Sequence, residues 1–525
     1  MRRRILLQTL AAAPAVVALG GCSGETATPG PVVATASGRL RGQLIDPGDG
    51  GAPVHRFLGI PYAEPPFGAN RFVAPKRRAP WTELRAADRH GEICPQTGGD
   101  LGGGGAVEGE DCLNLNIWTP ELDAADLPVM VWAHGGGQVT GSGSSPLYEG
   151  THFAREGVVL VTCNRRLGAE GYLYLEQHFG DGIGPGNLGI LDLIAVLEWV
   201  QENIAKFGGD PNRVTLFGES GGAVAVQAAV ATTTSRGLVH RVILQSGGFA
   251  AQRAETASEL AAFAINKLGI RTGDLDELRA RPWPDLVALY EQMNGLGLGQ
   301  PQVYLPVIGA TMPEHPVDAP ATGWGRDVDY LIGTCRDEAN LFAVLTDLEH
   351  SPFHERARQL LKAADASWAA LRAVYTAERP GEDDEEIDKA IMGDAWFRVP
   401  SLRIADAHAR HARARTFMYR FDWATQLLGA AHATDLIVFG NGVPLGIALG
   451  FANPDETARQ MRRAWVRFAE SGNPSSEAFA WPRYDAQTRK TVSIKDQMAV
   501  LQDPFAKQRA LLQPLWSRSW GAAGL

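Results

Sequence analysis

A strand that turns abruptly into a helix around one serine constrains this 525-residue chain more than any other feature. Strand-forming residues at 214–217 lead into the run Gly218–Gly222, which reads Gly-Glu-Ser-Gly-Gly, and an Ala/Val-rich segment follows. Glycines flank the serine because the sharp turn crowds the backbone, and only residues without a Cβ tolerate the close approach. The pattern predicts that Ser220 lies exposed at a helix N-terminus, where backbone N–H groups stabilise developing negative charge.

Short apolar runs recur along the chain with helical segments between them. Ile190 to Phe207 has apolar residues near helical spacing, and Gly208-Gly209 then ends that helix. This alternation predicts an α/β fold with a mostly parallel, doubly wound sheet and helices on both faces. The helix-rich segments 255–325 and 345–412 are expected to be insertions that wall a cleft. The predicted strands are Val129–Ala133, Val158–Cys163, Val214–Phe217, Val242–Gln245, Tyr330–Ile332 and Thr416–Phe421.

A glycine-rich turn follows the first of these strands. With 60 glycines in the chain, about 0.3 matches to G-x-S-x-G arise by chance, so Ser220 needs support from such partners. His134 is followed by three glycines, which let backbone N–H groups converge on one oxygen atom. Gly136 and Gly137, together with Gly221, are therefore predicted to form an oxyanion hole. His134 itself is expected to be a scaffold of this loop rather than a base.

An acyl-transfer serine also needs a base and an orienting acid. Asp337 and Glu338 come just beyond the end of a predicted strand, where α/β enzymes build their sites. His432 lies in a loop of small residues after the strand that ends at residue 421. The chain order Ser220, Glu338, His432 agrees with the order that enzymes with a G-x-S-x-G elbow use. The chain has 12 histidines, and a lone loop histidine is more often structural than catalytic.

The N-terminus predicts export. Three arginines, an apolar stretch and the run 19–22 (Leu-Gly-Gly-Cys) indicate a signal peptide over residues 1–21, and Arg2–Arg4 resembles a twin-arginine signal. The same run resembles a lipobox, so Cys22 is expected to be lipidated, with simple cleavage as the alternative, and residues 22–31 to be a tether. The chain is therefore expected in the periplasm or at the cell surface, attached to a membrane only through Cys22.

The net charge argues against some classes of binding partner, and the cysteines are interpreted from the expected export of the chain. Processing removes three arginines from a chain of formal charge −10, which disfavours nucleic acid and anionic membrane surfaces as partners. In an exported chain, Cys94 and Cys112 are the plausible disulfide, and two free thiols are the alternative. Cys163 is expected to be a buried free thiol. His408 and His411 lack a carboxylate ligand pattern, so we expect no metal site, and no cofactor is implied.

Beyond single residues, the ordered motifs of this chain resemble the type-B carboxylesterase family, whose relatives include the cholinesterases. The resemblance runs from about residue 30 to 520 and rests on Phe57–Ala63, Glu110–Asn116, the His134–Gly137 loop, Phe207–Pro211, Gly218–Gly222, Asp337-Glu338 and the His432 loop. It implies an α/β-hydrolase fold with one domain over 32–525. It also implies Ser220 as nucleophile, His432 as general base and acid, Glu338 as orienting acid and Asp337 as a structural neighbour. Glu219 resembles the buried carboxylate that the family places beside the serine, and the Cys94–Cys112 bridge is likewise a family feature.

Departures from the family pattern leave the catalytic atoms in place. Gly221 stands where the family often has alanine, Ala433 and Ala339 stand where it often has glycine, and Gln138 replaces the aromatic residue that often follows the three glycines. The loop between the two cysteines has no aromatic residue to bind a choline head group. The predicted function is hydrolysis of small-molecule carboxylic esters through an acyl-enzyme. The alternatives are a non-catalytic binding module of the same fold and a lipase for long acyl chains, and the sequence does not indicate an oligomeric state.

Overall fold

The computed structural model of the chain describes residues 26–97, 106–294, 303–345, 368–441 and 455–519. The predicted signal peptide and Cys22 lie outside the described residues. Within these ranges no helix is both long and apolar enough to cross a membrane. One large mixed sheet forms the centre of the molecule, and helices cover both of its faces.

The strands of the described ranges are numbered in chain order. The first eight are β1 (Thr26–Ala34), β2 (Arg39–Asp46), β3 (Val54–Pro61), β4 (Leu84–Ala86), β5 (Asn114–Thr119), β6 (Leu127–Ala133), β7 (Val159–Cys163) and β8 (Gly209–Glu219). The others are β9 (Arg241–Gln245), β10 (Gln252–Arg253), β11 (Val307–Ile308), β12 (Asp329–Cys335), β13 (Thr416–Phe421), β14 (Thr491–Ile494) and β15 (Ala499–Leu501).

The sheet has a parallel centre and antiparallel flanks. Its order is β1-β2-β3-β5-β7-β6-β8-β9-β12-β13-β14-β15, with β4 beside β2, and β10 pairs with β11 apart from it. Neighbouring strands from β7 through to β14 run parallel, and the remaining neighbours in the order are antiparallel. The predicted parallel strands are all present within the central part. The antiparallel flank was not predicted, and residues 26–31, expected to be part of a tether, belong to β1 and pair with β2.

Along the chain, most helices connect the central strands or belong to the segments that the sequence predicts as insertions. Those before residue 300 are α1 (Thr151–Arg155), α2 (Gly168–Tyr172), α3 (Glu176–Phe179), α4 (Leu188–Asn203), α5 (Gly221–Val230), α6 (Ala254–Lys267), α7 (Leu275–Ala280) and α8 (Trp283–Asn294). The later helices are α9 (Ala339–Leu345), α10 (Trp368–Glu378), α11 (Asp384–Gly393), α12 (Val399–His411), α13 (Asp455–Ser471) and α14 (Ala506–Ser519). A 3-10 turn at Ile204–Phe207 extends α4, and Gly208 with φ +83° ends it, as the sequence predicts.

The two largest apolar cores of the described residues lie against the sheet. One contains α4 and α5 and side chains from alternate positions of β6 and β8, such as Val131 and Leu216. The other contains Trp132 and Phe217 from the intervening positions, together with Trp465 of α13. Because both faces of the central strands are buried, their sequences are continuously apolar. The rigid centre therefore fixes where the loops at its carboxyl edge begin.

Candidate active site

Four loops at the carboxyl edge of the central strands carry the predicted site residues. The glycine loop follows β6, Ser220 follows β8, Glu338 comes three residues after β12, and His432 follows β13. These strands are close neighbours because the sheet order there is β6-β8-β9-β12-β13. The fold thus brings residues that are far apart in the sequence to one edge.

Ser220 occupies a strained turn between β8 and α5. Its φ is +55° and its ψ is −124°, a conformation that costs a side-chain-bearing residue about 1–3 kcal/mol. A Cβ on Gly222 would lie 2.0 Å from the carbonyl oxygen of Ala133, so this position requires glycine. The Ser220 N–H donates to the carbonyl of Gln245 at 2.9 Å, which ties the turn to the end of β9. The surrounding backbone therefore holds the serine in the turn that the sequence predicts.

Glu338 and His432 form a buried hydrogen-bonded pair. The His432 Nδ1 atom lies 2.6 Å from Glu338 Oε2, and the two side chains are 4% and 1% exposed. Glu338 Oε1 accepts from the Ser246 hydroxyl and the Cys335 N–H, each at 2.7 Å. Because each carboxylate oxygen has its own partner or partners, Glu338 fixes the ring and the tautomer in which Nδ1 carries the proton.

The other imidazole nitrogen points toward the nucleophile turn. His432 Nε2 lies 3.1 Å from Glu219 Oε1, but the two atoms do not make a directional hydrogen bond. Among the described residues, Nε2 has no hydrogen-bond partner, and this includes the Ser220 hydroxyl. Glu219 immediately precedes Ser220, so the structure brings the histidine to the elbow without forming the serine–histidine hydrogen bond. In free enzymes this bond is often long or unformed and tightens with substrate.

Three buried carboxylates surround this one histidine. Burial alone lowers the pKa of His432, but Glu219 and Glu338 outweigh it and raise that pKa to about 9. Burial raises the pKa of Glu219 to about 8, and Asp435 and Glu338 add to the rise while His432 opposes it. Burial also raises the pKa of Asp435 to about 6. The carboxylates on this side of Ser220 therefore stabilise the protonated form of the histidine.

The glycine loop packs directly on the nucleophile turn. Gly136 and Gly137 have φ values of +97° and +60°, and a Cβ on Gly136 would lie 2.1 Å from the Thr140 carbonyl oxygen. A Cβ on Gly221 would lie 2.8 Å from the Gly137 nitrogen, so the amides of these two residues are neighbours. The structure therefore brings the predicted oxyanion donors together at the start of α5.

The site geometry is accompanied by similarity along almost the whole chain. The model of the carboxylesterase family matches residues 29–512. The chain belongs to the carboxylesterase family. Para-nitrobenzyl esterase of Bacillus subtilis is 35% identical over 506 residues, which cover 92% of this chain and 98% of that enzyme. Phenmedipham hydrolase of Pseudarthrobacter oxydans is 32% identical and covers 91% of this chain and 97% of its own. The crystal structure of a Geobacillus stearothermophilus carboxylesterase has a TM-score of 0.81, is 36% identical and covers 92% of this chain and 100% of its own.

In this carboxylesterase, Asp337 of the Asp337-Glu338 pair lies outside the site. Asp337 accepts from Arg336 at 2.8 Å, from Arg379 at 3.0 Å and from the Ala430 N–H at 3.1 Å. Burial opposes these interactions, but the two arginines and the Ala430 N–H lower the pKa of Asp337 below its usual range. Asp337 therefore supports the histidine loop, whereas Glu338 contacts the histidine.

His134 is buried and belongs to the glycine loop. Its Nδ1 atom lies 2.9 Å from the Gly135 carbonyl oxygen, and its Nε2 atom lies 2.9 Å from a terminal guanidinium nitrogen of Arg165. Burial and then Arg165 lower the pKa of His134 well below its usual range, so the ring is neutral. These contacts fit the scaffold role that the sequence predicts for His134.

The sequence did not single out several residues that touch the site. Ser246 follows β9 directly and is followed by two glycines, so a small-residue turn after a predicted strand was its available signal. Asp435 accepts from the Tyr419 hydroxyl at 2.8 Å, and Phe342 and Phe397 place their rings 5.0 and 4.7 Å from the His432 ring. The aromatic rings come from helical insertions, and no local pattern distinguishes them from core residues.

The four cysteines in the described part of the chain are buried free thiols. Cys94 and Cys112 are buried free thiols that contact each other, so the predicted bridge is not formed in this structure. Cys163 is a buried free thiol, as predicted, and so is Cys335. In the part of the chain that the structure describes, no cluster of three or more His, Cys, Asp or Glu side chains could hold a metal ion.

Proposed function

We propose that Ser220, His432 and Glu338 are the catalytic residues with which this carboxylesterase hydrolyses esters through an acyl-enzyme. The 2.6 Å contact of His432 with Glu338, beside a serine in a strained elbow, is the observation that carries the proposal. A rotation of the serine hydroxyl toward Nε2 would complete the arrangement. His432 would then take the hydroxyl proton while Oγ attacks the carbonyl carbon.

The oxyanion loop and the histidine have complementary tasks in this mechanism. The N–H groups of Gly136, Gly137 and Gly221 would hold the oxyanion of each tetrahedral intermediate. The His432 imidazolium would donate its proton to the leaving alkoxide and then accept one from water, which attacks the acyl-enzyme. Because Glu219 has a raised pKa, a proton shared between Glu219 and His432 can leave the histidine neutral before the attack.

A covalent probe tests the assignment. An alkyl fluorophosphonate should label the purified chain at one serine, and peptide mass mapping should locate the adduct at Ser220. Ser220→Ala should abolish labelling and reduce turnover by several orders of magnitude. Ser235→Ala removes another mostly buried hydroxyl, which bonds the Ala229 carbonyl at 2.6 Å, and should change neither. Labelling of Ser220→Ala at the normal rate would refute the proposal, and an unlabelled wild-type chain would favour a non-catalytic binding module.

Aryl and benzyl esters of short acids are the proposed substrate class. One relative is named for its action on para-nitrobenzyl esters and another for hydrolysis of phenmedipham, and both match over most of this chain. Phe342 and Phe397 beside His432 offer apolar surfaces to such groups. Turnover of para-nitrophenyl esters of increasing acyl length should fall with length, whereas a rise toward long chains would support a lipase instead.

Export and lipidation are part of the proposal for the cellular role. The arginine-rich start, the apolar stretch and the Leu-Gly-Gly-Cys run support cleavage before Cys22 and attachment of lipid to its thiol. In an oxidising compartment the adjacent thiols of Cys94 and Cys112 would close to a disulfide. The wild-type protein should fractionate with membranes and Cys22→Ala should not; equal fractionation of both would contradict the lipid anchor.

A further inference from the structure

One buried arginine beside the oxyanion loop has no acidic partner among the residues that the structure describes. Five arginines in the described part of the chain are buried, and four of them have a carboxylate within 4.0 Å: Arg71 with Glu170, Arg166 with Asp192, Arg398 with Asp394 and Arg462 with Glu156. The fifth, Arg165, is 1% exposed and makes no ion pair with any described residue. A buried charge without a counter-charge is costly, so its presence calls for a function.

Arg165 instead binds two neutral side chains at the two ends of the glycine loop. One terminal nitrogen lies 2.9 Å from His134 Nε2, and the other donates to Gln138 Oε1 at 2.9 Å. Its Nε atom has no partner among the described residues. Residues 135–137, the oxyanion loop, lie between these two contacts. The planar guanidinium can thus hold both ends of the loop at a fixed separation.

The His134 contact sets the orientation of one peptide group. Arginine can only donate, so His134 Nε2 must accept and the ring proton must be on Nδ1. Nδ1–H then donates to the Gly135 carbonyl oxygen at 2.9 Å. In a trans peptide the C=O and the following N–H point in opposite directions, and the described chain contains no cis peptide. Fixing the Gly135 carbonyl therefore fixes the direction of the Gly136 N–H.

The Gln138 contact ties the loop to the nucleophile turn. With its oxygen held by Arg165, the Gln138 amide presents Nε2–H, which donates to the Gly221 carbonyl at 2.7 Å. A Cβ on Gly221 would lie 3.2 Å from this Nε2 atom and 2.8 Å from the Gly137 nitrogen. Gln138 and Gly221, two departures from the family pattern, are therefore neighbours in one network.

We propose that Arg165 is a positioning residue that holds the oxyanion loop against the nucleophile turn and contributes positive charge behind the forming oxyanion. This inference rests on the acyl-transfer function proposed above. Transition-state stabilisation should depend on Arg165 and Gln138, whereas binding of the uncharged ester should not. Their loss should lower kcat and leave KM nearly unchanged.

The test compares Arg165→Met, Gln138→Glu and the control Arg241→Met. Arg241 is mostly buried at the amino end of β9, far from the loop, and lies 4.0 Å from Asp329. Its loss therefore shows how much activity changes when a mostly buried arginine is removed away from the site. Gln138→Glu keeps a partner for Arg165, and indeed an ionic one, but it cannot donate to the Gly221 carbonyl. It therefore tests the network even where Arg165→Met fails to fold.

We expect Arg165→Met and Gln138→Glu to lower kcat on a para-nitrophenyl ester about 10- to 100-fold, with KM changed less than about threefold. Inhibition by an aryl trifluoromethyl ketone, which forms a charged adduct, should weaken by the same factor as kcat/KM. Arg241→Met should retain wild-type kcat. A folded Gln138→Glu with wild-type kcat, or ketone inhibition that does not follow kcat/KM, would overturn the inference. Fluorophosphonate labelling of wild-type Ser220 is scored separately, so failure of the proposed function is recognised on its own.

Discussion

The two sides of Ser220 carry opposite charge. On the histidine side, Glu219, Glu338 and Asp435 are buried around one imidazole, and their carboxylates raise the pKa of His432 although burial lowers it. On the loop side, Arg165 is buried among neutral partners. In the proposed mechanism, the histidine becomes a cation and the carbonyl oxygen becomes an anion during attack on an ester. The charges built into the fold are thus opposite in sign to those that develop next to them in the proposed transition state, and the uncharged ester has no such charges.

This contrast also explains why each side is hydrogen-bonded differently. In the proposed mechanism Glu338 orients a ring that changes its protonation, and three donors hold its carboxylate. The loop presents backbone N–H groups that never titrate, and neutral His134 and Gln138 support them. Preorganised groups of this kind need no rearrangement when charge develops, which is the main source of their catalytic effect.

The largest effect is expected when the histidine side loses its orienting charge. Glu338→Gln should lower kcat about 10⁴-fold because an amide neither stabilises the imidazolium nor enforces the tautomer. The matched change Asp337→Asn removes an adjacent carboxylate that pairs with Arg336 and Arg379. It should lower the free energy of unfolding and leave kcat within about tenfold. Steady-state kinetics and thermal unfolding distinguish the two variants. If both variants lose the same amount of kcat, Glu338 is not the orienting acid.

On the loop side, Gly136→Ala should have the next largest effect. A Cβ there would lie 2.1 Å from the Thr140 carbonyl, so the loop must shift and its N–H groups lose their aim. We expect kcat/KM to fall about 10²- to 10³-fold. Gly157→Ala is the control, since Gly157 has a similar φ of +92° and no atom within 4 Å of its Cβ position. A comparable loss of activity in the control would show strain alone to be responsible.

Local sequence patterns predicted the residues proposed to act in the site but not the residues that support them. The elbow, the glycine loop and the loops of Glu338 and His432 follow strands whose apolar runs and glycines are visible in the sequence. Arg165 and Ser246 act through partners 27 to 92 residues away, which periodicity cannot pair. The antiparallel flank was missed because β1 is mostly exposed and contains Gly30 between two prolines, so it lacks the apolar run of a buried strand.

A smaller effect should follow from removing one of the hydrogen bonds that hold Glu338. Ser246→Ala removes one donor to Glu338 Oε1 and leaves the Cys335 N–H at 2.7 Å. We expect kcat to fall about tenfold with little change in KM, because one hydrogen bond to a charged group is lost. Ser246→Thr should retain most of the activity because it keeps the hydroxyl. If the threonine variant is as slow as the alanine variant, the hydroxyl is not the relevant group.

The smallest change in maximal rate, but a clear shift with pH, is expected for Glu219→Gln. In the proposed mechanism only neutral His432 can accept the serine proton, and Glu219 is one of the carboxylates that raise the pKa of His432 to about 9. Removing that charge should move the acid limb of kcat/KM to lower pH. A limb that stays in place, or moves to higher pH, would show that Glu219 does not act on His432.

Stability should change in the same pH range for the same reason. The pKa values of His432 and Glu219 are both raised in the folded state. The contribution of each group to stability is therefore largest at a pH below the pKa of that group in the unfolded chain. This contribution is lost as the pH rises through about 8 for Glu219 and about 9 for His432. Chemical denaturation from pH 5 to 9 should show wild-type stability falling and Glu219→Gln falling less. Parallel curves for the two proteins would contradict this linkage.

The most direct measurement is a crystal structure of the chain with an aryl trifluoromethyl ketone. We expect a covalent bond from Ser220 Oγ to the ketone carbon, with the former ketone oxygen about 2.7–3.1 Å from the amides of the oxyanion loop and Gly221. His432 Nε2 should then lie within hydrogen-bonding distance of Oγ. A ketone bound without a covalent bond, or an oxygen directed toward Glu219, would contradict the proposed role of Ser220 as nucleophile.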